Sequence, residues 1–173
     1  SFALTEPDAG SDAASISTTA TLAGDHYRLN GTKRYITNAP RAGMFTVMAR
    51  SEANTKGAAG ISAFIVAADT PGIVLGKPDK KMGQRGAVIS DVIFDNCRIP
   101  ADSIIGGVPG RGFKTAMKVL DRGRIHISAL ACGMADRLLE EAVQYAIERR
   151  QFGRAIGEFQ LIQGMLADSR TEL

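Results

Sequence analysis

Through the first hundred residues, apolar and polar positions alternate in short runs punctuated by turn residues. Ile16, Thr18, Ala20 and Leu22 fall on one face of a strand. Ala23-Gly24-Asp25 turns the chain, and Tyr27, Leu29 and Gly31 resume the alternation, so the pattern predicts a hairpin. Thr32 to Thr37 reads as a further strand, broken at Asn38-Ala39-Pro40. A β-compatible run follows from Met44 to Arg50, then a small-residue loop, exposed and mobile, from Ser51 to Gly60. Ile61 to Ala67 and Ile73 to Leu75 are predicted strands flanking the Thr70-Pro71-Gly72 turn. After a charged loop from Pro78 to Gly86, a strand from Ala87 to Phe94 carries Val88, Ser90, Val92 and Phe94 on one face, and Asp95 to Pro100 closes the series. Short strands without intervening helices predict an antiparallel sandwich or barrel.

The period then changes. Beyond a hinge-like Gly106-Gly107-Val108-Pro109-Gly110-Arg111-Gly112, the residues Phe113, Met117, Leu120, Ile127, Leu130, Met134, Leu138 and Tyr145 recur at helical spacing as far as Arg150. Propensity alone does not sustain a helix of about ten turns, so it must pack against other helices. Gln151 to Gly157 interrupts it, and Phe159, Ile162, Met165 and Leu166 begin a second helix. The chain therefore reads as α+β, with a β domain over residues 1–105 and the first two helices of a bundle over residues 106–173. Both ends are expected to be cut. Ser1 is not an initiator, and Leu166 to Leu173 is a helical pattern without a cap.

Composition narrows the function classes. A hydrophobic share of 45% supports an ordinary core, and a net charge of +3, dispersed except at Lys80-Lys81 and Arg149-Arg150, gives no support to a nucleic-acid partner. No apolar run has the length of a membrane span, so no membrane insertion is expected. Cys97 and Cys132 are predicted to be buried thiols in a reducing compartment, cytoplasmic, or the mitochondrial matrix in a eukaryote. His26 and His126 have no metal-ligand spacing, and no metal is expected.

Three constellations carry candidate chemistry. The first is Phe2-Ala3-Leu4-Thr5-Glu6-Pro7-Asp8-Ala9-Gly10-Ser11-Asp12, an apolar run that stops at a proline and turns through hydroxyls and free N–H groups. The second is Tyr35-Ile36-Thr37-Asn38 at a strand end, where an aromatic ring and a hydroxyl two residues apart face the same side and suit a planar ring with polar edges. The third is Asp121-Arg122-Gly123-Arg124 within the long helix, together with Arg149-Arg150-Gln151-Phe152-Gly153 at its end. Asp121 and Arg124 are helical neighbours, and alone they would be a weak surface ion pair.

Together with Leu29-Asn30-Gly31-Thr32-Lys33, Lys81-Met82-Gly83-Gln84-Arg85-Gly86 and Val92-Ile93-Phe94-Asp95-Asn96-Cys97-Arg98-Ile99-Pro100, these blocks resemble the acyl-CoA dehydrogenase family over nearly the whole chain. The resemblance implies a middle β domain plus the start of a C-terminal helical domain, with FAD as cofactor. It implies that Phe2, Leu4, Thr5 and Ser11 line the isoalloxazine, with Thr5 on its pyrimidine edge. Tyr35 stands where the family usually has tryptophan, Ile36 lies beside it, and Thr37 donates toward flavin N5. Ser11 also touches the substrate's pantetheine, while Asp121 and Arg124 contact CoA. Arg149 and Gln160 reach the FAD of a neighbouring subunit, with Phe152 packing nearby. The implied reaction is α,β-dehydrogenation of an acyl-CoA thioester, with electrons passed to electron-transfer flavoprotein or a similar acceptor, in a homodimer or homotetramer.

A catalytic base is not expected in this chain. Family members carry it either beyond the position of Leu173 or one residue before the arginine matched by Arg124, and that second position is Gly123. Glu6 is not assigned as base. Two other readings stay open: an acyl-CoA oxidase or flavin monooxygenase relative, and a non-catalytic oligomerisation or binding module.

Overall fold

Among the described residues, the β-branched and aromatic runs form nine strands. They are β1 (Phe2–Ala3), β2 (Thr19–Ala23), β3 (His26–Thr37), β4 (Met44–Arg50), β5 (Ile61–Ala67), β6 (Ile73–Leu75), β7 (Ile89–Pro100), β8 (Arg150–Gln151) and β9 (Arg154–Ala155). Two helices, α1 (Gly112–Glu148) and α2 (Gln160–Glu172), complete the chain. The structure, a computed structural model, describes residues 1–52 and 54–173; Ala53, within the predicted Ser51–Gly60 loop, lies outside the described residues. The chain divides into two compact units, Ser1–Lys118 and Val119–Leu173.

In the first unit, β1 to β7 form one sheet, and it is mixed rather than antiparallel. β1 runs parallel to β4 (Phe2 opposite Thr46), and β2 meets β4 in parallel at Thr19 and Arg50. The remaining pairings, β2–β3, β3–β7, β4–β5 and β6–β7, are antiparallel. The hairpin at Gly24 and the bounds of β4, β5 and β6 are as the pattern predicts. Leu22 departs from it: at the hairpin end of β2 it runs past the core and is exposed.

Two β-bulges make β3 and β7 longer than the alternation predicts. Leu29 pairs with Cys97 and Gly31 with Phe94, so β7 carries an extra residue where Asn96 has φ of 50°. The buried face of β7 is Ser90, Val92 and Phe94 before that step, and Cys97 and Ile99 after it. The strand thus continues through Asp95–Pro100 instead of ending. On β3, Lys33 pairs with Val92 and Ile36 with Ser90, and the extra residue sits beside Tyr35, which has φ of 58°. Thr32–Thr37 is therefore not a separate strand but the far half of β3.

The β4–β5 pair is buried on both faces. Phe45 and Val47, opposite Val66 and Phe64, join Tyr27, Leu29, Val92, Phe94 and Ile99 in the main core. Met48, opposite Ala63, faces a second core with Leu4, Ala9, Ile16, Ile61 and Ala116. Phe113 and Met117 of the first turns of α1 pack on that second core, so the opening loop is pressed against β4–β5 from the same side as the helix start. Cys97 is buried in the main core, and its thiol is pushed up by that burial.

In the second unit, α2 returns to α1 through an ion pair between Asp136 and Arg170 at 2.6 Å. Gly157 approaches Ala146 closely enough that an added Cβ would lie 3.1 Å from its carbonyl oxygen. Ile127, Leu130, Met134, Leu138 and Tyr145, the residues whose spacing predicted burial, are exposed here, because α2 covers only part of α1. Cys132 is exposed on α1, not buried as the sequence suggested.

Candidate functional site

The opening stretch is clamped between two strands. On one side β1 pairs with β4, and the Ser1 carbonyl accepts from the Thr46 N–H at 2.8 Å. On the other side the Ser1 hydroxyl donates to the Thr37 carbonyl at 2.8 Å, and the Arg34 N–H donates to the Thr5 carbonyl at 2.8 Å. Residues 1 to 5 thus lie antiparallel to residues 37 to 34, and the bulge at Tyr35 falls within that span. This register sets the main chain of Phe2 to Thr5 beside that of Tyr35 to Thr37.

Tyr35 is the most conspicuous residue of the edge these two segments form. An aromatic residue with positive φ is rare and strained, and such strain gathers at functional positions. Its side chain is 59% exposed, and the Arg34 guanidinium sits over the ring, 4.9 Å from the centroid, while reaching Asp91 at 3.5 Å. Tyr35 and Thr37 are both exposed, but through the bulge rather than through the unbroken pleat that alternation assumed. Phe2 is exposed and Thr5 half-buried. The Ile36 side chain belongs to the main core and Leu4 to the second core, so these two can offer a ligand little beyond their main chain. Ser11 is exposed in the turn beyond the Glu6–Ala9 bridge.

Beneath the edge lies a pair that sequence reasoning did not assemble. Lys33 and Glu6 meet at 2.8 Å with side chains 0% and 2% exposed. The Lys33 ammonium also donates to the Leu4 carbonyl at 3.0 Å. Glu6 accepts from the Ser17 N–H at 2.6 Å, the Ser17 hydroxyl at 2.8 Å and the Thr18 N–H at 3.0 Å. Burial pushes the Glu6 carboxyl up, but the Lys33 charge and the hydrogen bonds from Lys33, Thr18 and Ser17 outweigh it and hold its pKa at about 2. Burial pushes Lys33 down to about 8, against the pull of Glu6. One signal for the pair was present: Lys33 continues the inward phase of Tyr27, Leu29 and Gly31, and an inward lysine requires an acid.

The lowered Glu6 pKa has a pH consequence. The native state binds the Glu6 proton more weakly than the unfolded chain, so its contribution is full above about pH 4.5. That contribution fades as pH falls toward about 2. Lys33 stays charged throughout this window. The stability that Glu6 contributes, followed by urea titration of the native sequence, is expected to fall steadily as pH drops below 4.5.

The second unit carries the remaining candidates. Asp121 and Arg124 form an exposed ion pair at 3.5 Å on α1. Arg149 follows the end of α1, on the order of 40 Å along the helix axis from Asp121 at 1.5 Å per residue. The two groups are therefore separate places. Beyond Arg149, β8 and β9 pair through a two-residue turn, Phe152-Gly153, in which both residues have positive φ (52° and 80°). This is the type I′ pattern, in which a first position occupied by Phe is unusual. The turn presents Phe152 at 92% exposure, with Phe159 edge-on at 6.2 Å. Gln160 opens α2, exposed.

Comparison with known proteins identifies the family. The model described as acyl-CoA dehydrogenase, middle domain, matches residues 1–97, and that described as acyl-CoA dehydrogenase, C-terminal domain, matches residues 110–173. The chain belongs to the acyl-CoA dehydrogenase family. Among its relatives, the human short-chain specific acyl-CoA dehydrogenase, mitochondrial, is 50% identical over 96% of this chain and 40% of its own length. The caffeyl-CoA reductase-Etf complex subunit CarC of Acetobacterium woodii is 46% identical over 99% of this chain and 45% of its own. The solved butyryl-CoA dehydrogenase of Megasphaera elsdenii superposes with a TM-score of 0.93 at 42% identity, covering 99% of this chain and 44% of that one. The chain thus spans less than half the length of the relatives it matches.

Proposed function

We propose that this chain is the middle domain and the first C-terminal helices of an FAD-dependent acyl-CoA dehydrogenase. The observation that carries the reading is the register that sets the main chain of Thr5 beside that of the bulged Tyr35 and Thr37. The donor set there suits the group: two hydroxyls for a heteroatom edge, and two exposed aromatic side chains, Phe2 and Tyr35, for a flat ring. When bound, FAD supplies the hydride acceptor for oxidation of the acyl thioester. Thr5 and Thr37 would hold its polar edge, and fixed donors of this kind stabilise charge that arises only as the transfer proceeds. The exposed Asp121–Arg124 pair would meet the CoA moiety, and Ser11 the pantetheine. Arg149, Phe152 and Gln160 would serve the FAD of a neighbouring subunit. Glu6 does not serve as base, since all four of its lone-pair directions are taken by Lys33, Ser17 and Thr18.

A second reading is favoured by one relative. The reductase name of the Acetobacterium protein supports the reverse direction, reduction of an α,β-unsaturated CoA thioester, at the same edge. Anaerobic mixing with acyl-CoA tests the proposal. The FAD-loaded polypeptide extended to the length of its relatives is expected to lose its visible flavin absorption, and the 173-residue chain is expected to show no turnover. Turnover by the 173-residue chain overturns the absence of a base, and failure of the extended protein to bleach with any acyl-CoA overturns the reaction. Bleaching with reductant alone, reversed by an enoyl-CoA, supports the second reading.

A further inference from the structure

We propose that Lys33 is a positioning residue for the flavin edge, holding Thr5 at a fixed place relative to Tyr35 through Leu4 and Glu6. The inference rests on the reading of that edge as the flavin site. Three consecutive residues of the opening loop are gripped by two consecutive residues of β3. Lys33 binds the Leu4 carbonyl at 3.0 Å and the Glu6 carboxylate at 2.8 Å, and the N–H of Arg34 binds the Thr5 carbonyl at 2.8 Å. The next residue on β3 is the bulged Tyr35. Thr5 has no freedom to slide along β3 while its two neighbours share one ammonium.

Stability alone is a poor reason for this arrangement. A buried ion pair returns little against the cost of desolvating both charges, and apolar residues of similar volume are often as stable or more so. What an apolar pair lacks is direction. The ammonium and carboxylate admit one register of the loop, with the Thr18 N–H sharing Oε1 with Lys33 and Ser17 fixing Oε2. Leucine and methionine in the same space admit several. Lys33 thus acts through Leu4 and Glu6 on Thr5, without touching the ligand itself.

The test separates position from stability. In the FAD-loaded polypeptide extended to relatives' length, Lys33→Met/Glu6→Leu is expected to be more stable than Lys33→Met alone, though below the native sequence because Ser17, Thr18 and the Leu4 carbonyl lose their partners. It is nevertheless expected to bind FAD at least about tenfold more weakly and to show a displaced flavin absorption band and reduction potential, as is also expected of Thr5→Ala. Native affinity, spectrum and potential in the double variant, with Thr5→Ala altered, overturns the positioning role alone. If Thr5→Ala and Tyr35→Ala also leave the flavin unchanged, the flavin edge itself is wrong. Should the double variant not fold, Glu6→Gln is read by hydrogen exchange in the 173-residue chain. The Arg34 and Glu6 amides, bonded to the Thr5 and Ala9 carbonyls, are expected to exchange about tenfold faster while those of β4 and β5 hold. Unchanged exchange at both amides overturns the proposal.

Discussion

Lys33→Met is expected to lower the folding stability of this chain by about 3–5 kcal/mol, the cost of leaving one member of a buried ion pair without its partner. Glu6 would keep three donors, from Ser17 and Thr18, but no countercharge, at a side chain that is 2% exposed. The Leu4 carbonyl would lose its ammonium donor as well. Against a total stability of about 5–15 kcal/mol for an ordinary domain, the loss is a large share. Adding Glu6→Leu removes the stranded charge, so the double variant should recover part of it, and the coupling should appear as non-additivity in a double-mutant cycle. Urea unfolding is the measurement, with a lower midpoint and an unchanged slope for Lys33→Met. Additive single and double variants would show that the pair is not coupled.

Gly112→Val is expected to be the second large loss, about 3 kcal/mol or more, with melting about 6–12 °C lower for a chain of this size. A Cβ at Gly112 would lie 2.3 Å from both the Ala63 nitrogen and the Ser62 carbonyl carbon. These are backbone atoms of β5, which the β4 pairing holds in place, so neither can yield cheaply. The start of α1 must lift instead. That would pull Phe113 and Ala116 from the second core and break the bond from the Gly110 N–H to the Ser62 hydroxyl at 2.8 Å. Gly133, in the same helix with nothing within 4 Å of an added Cβ, gives the contrast. Gly133→Ala should stabilise, by up to about 1 kcal/mol, because only helix propensity changes. Calorimetry of the two variants checks both signs.

How much was legible in the sequence depended on whether the signal was local. β4, β5 and β6 have the bounds that their β-branched runs and flanking turn residues predict, and the change to helical period marks α1. β3 and β7 outrun their predicted bounds because alternation slips at Tyr35 and Asn96, where the positive φ falls on residues other than glycine and leaves no mark in the sequence. The parallel pairings of β1 and β2 with β4 depend on contacts across many residues and cannot be read from period. At the candidate site, the hydroxyls and the tyrosine were visible as motifs. The pair beneath them left only half a signal, the inward phase of Lys33, since Glu6 and Lys33 are distant in sequence and meet only through the fold. Burial likewise decided that Ile36 and Leu4 serve the cores. The exposed apolar side of α1 stands against the burial its spacing predicts, and α2 accounts for only part of the difference.

The central claim is that the clamped opening loop and the bulged end of β3 form one flavin edge. A crystal structure of the polypeptide extended to the length of its relatives, grown with FAD, tests it most directly. The isoalloxazine is expected against that edge, its pyrimidine side within hydrogen-bonding reach of Thr5, Thr37 directed at the ring, and Tyr35 beside one face. A flavin bound elsewhere, with the Thr5 and Thr37 hydroxyls facing solvent, would contradict it.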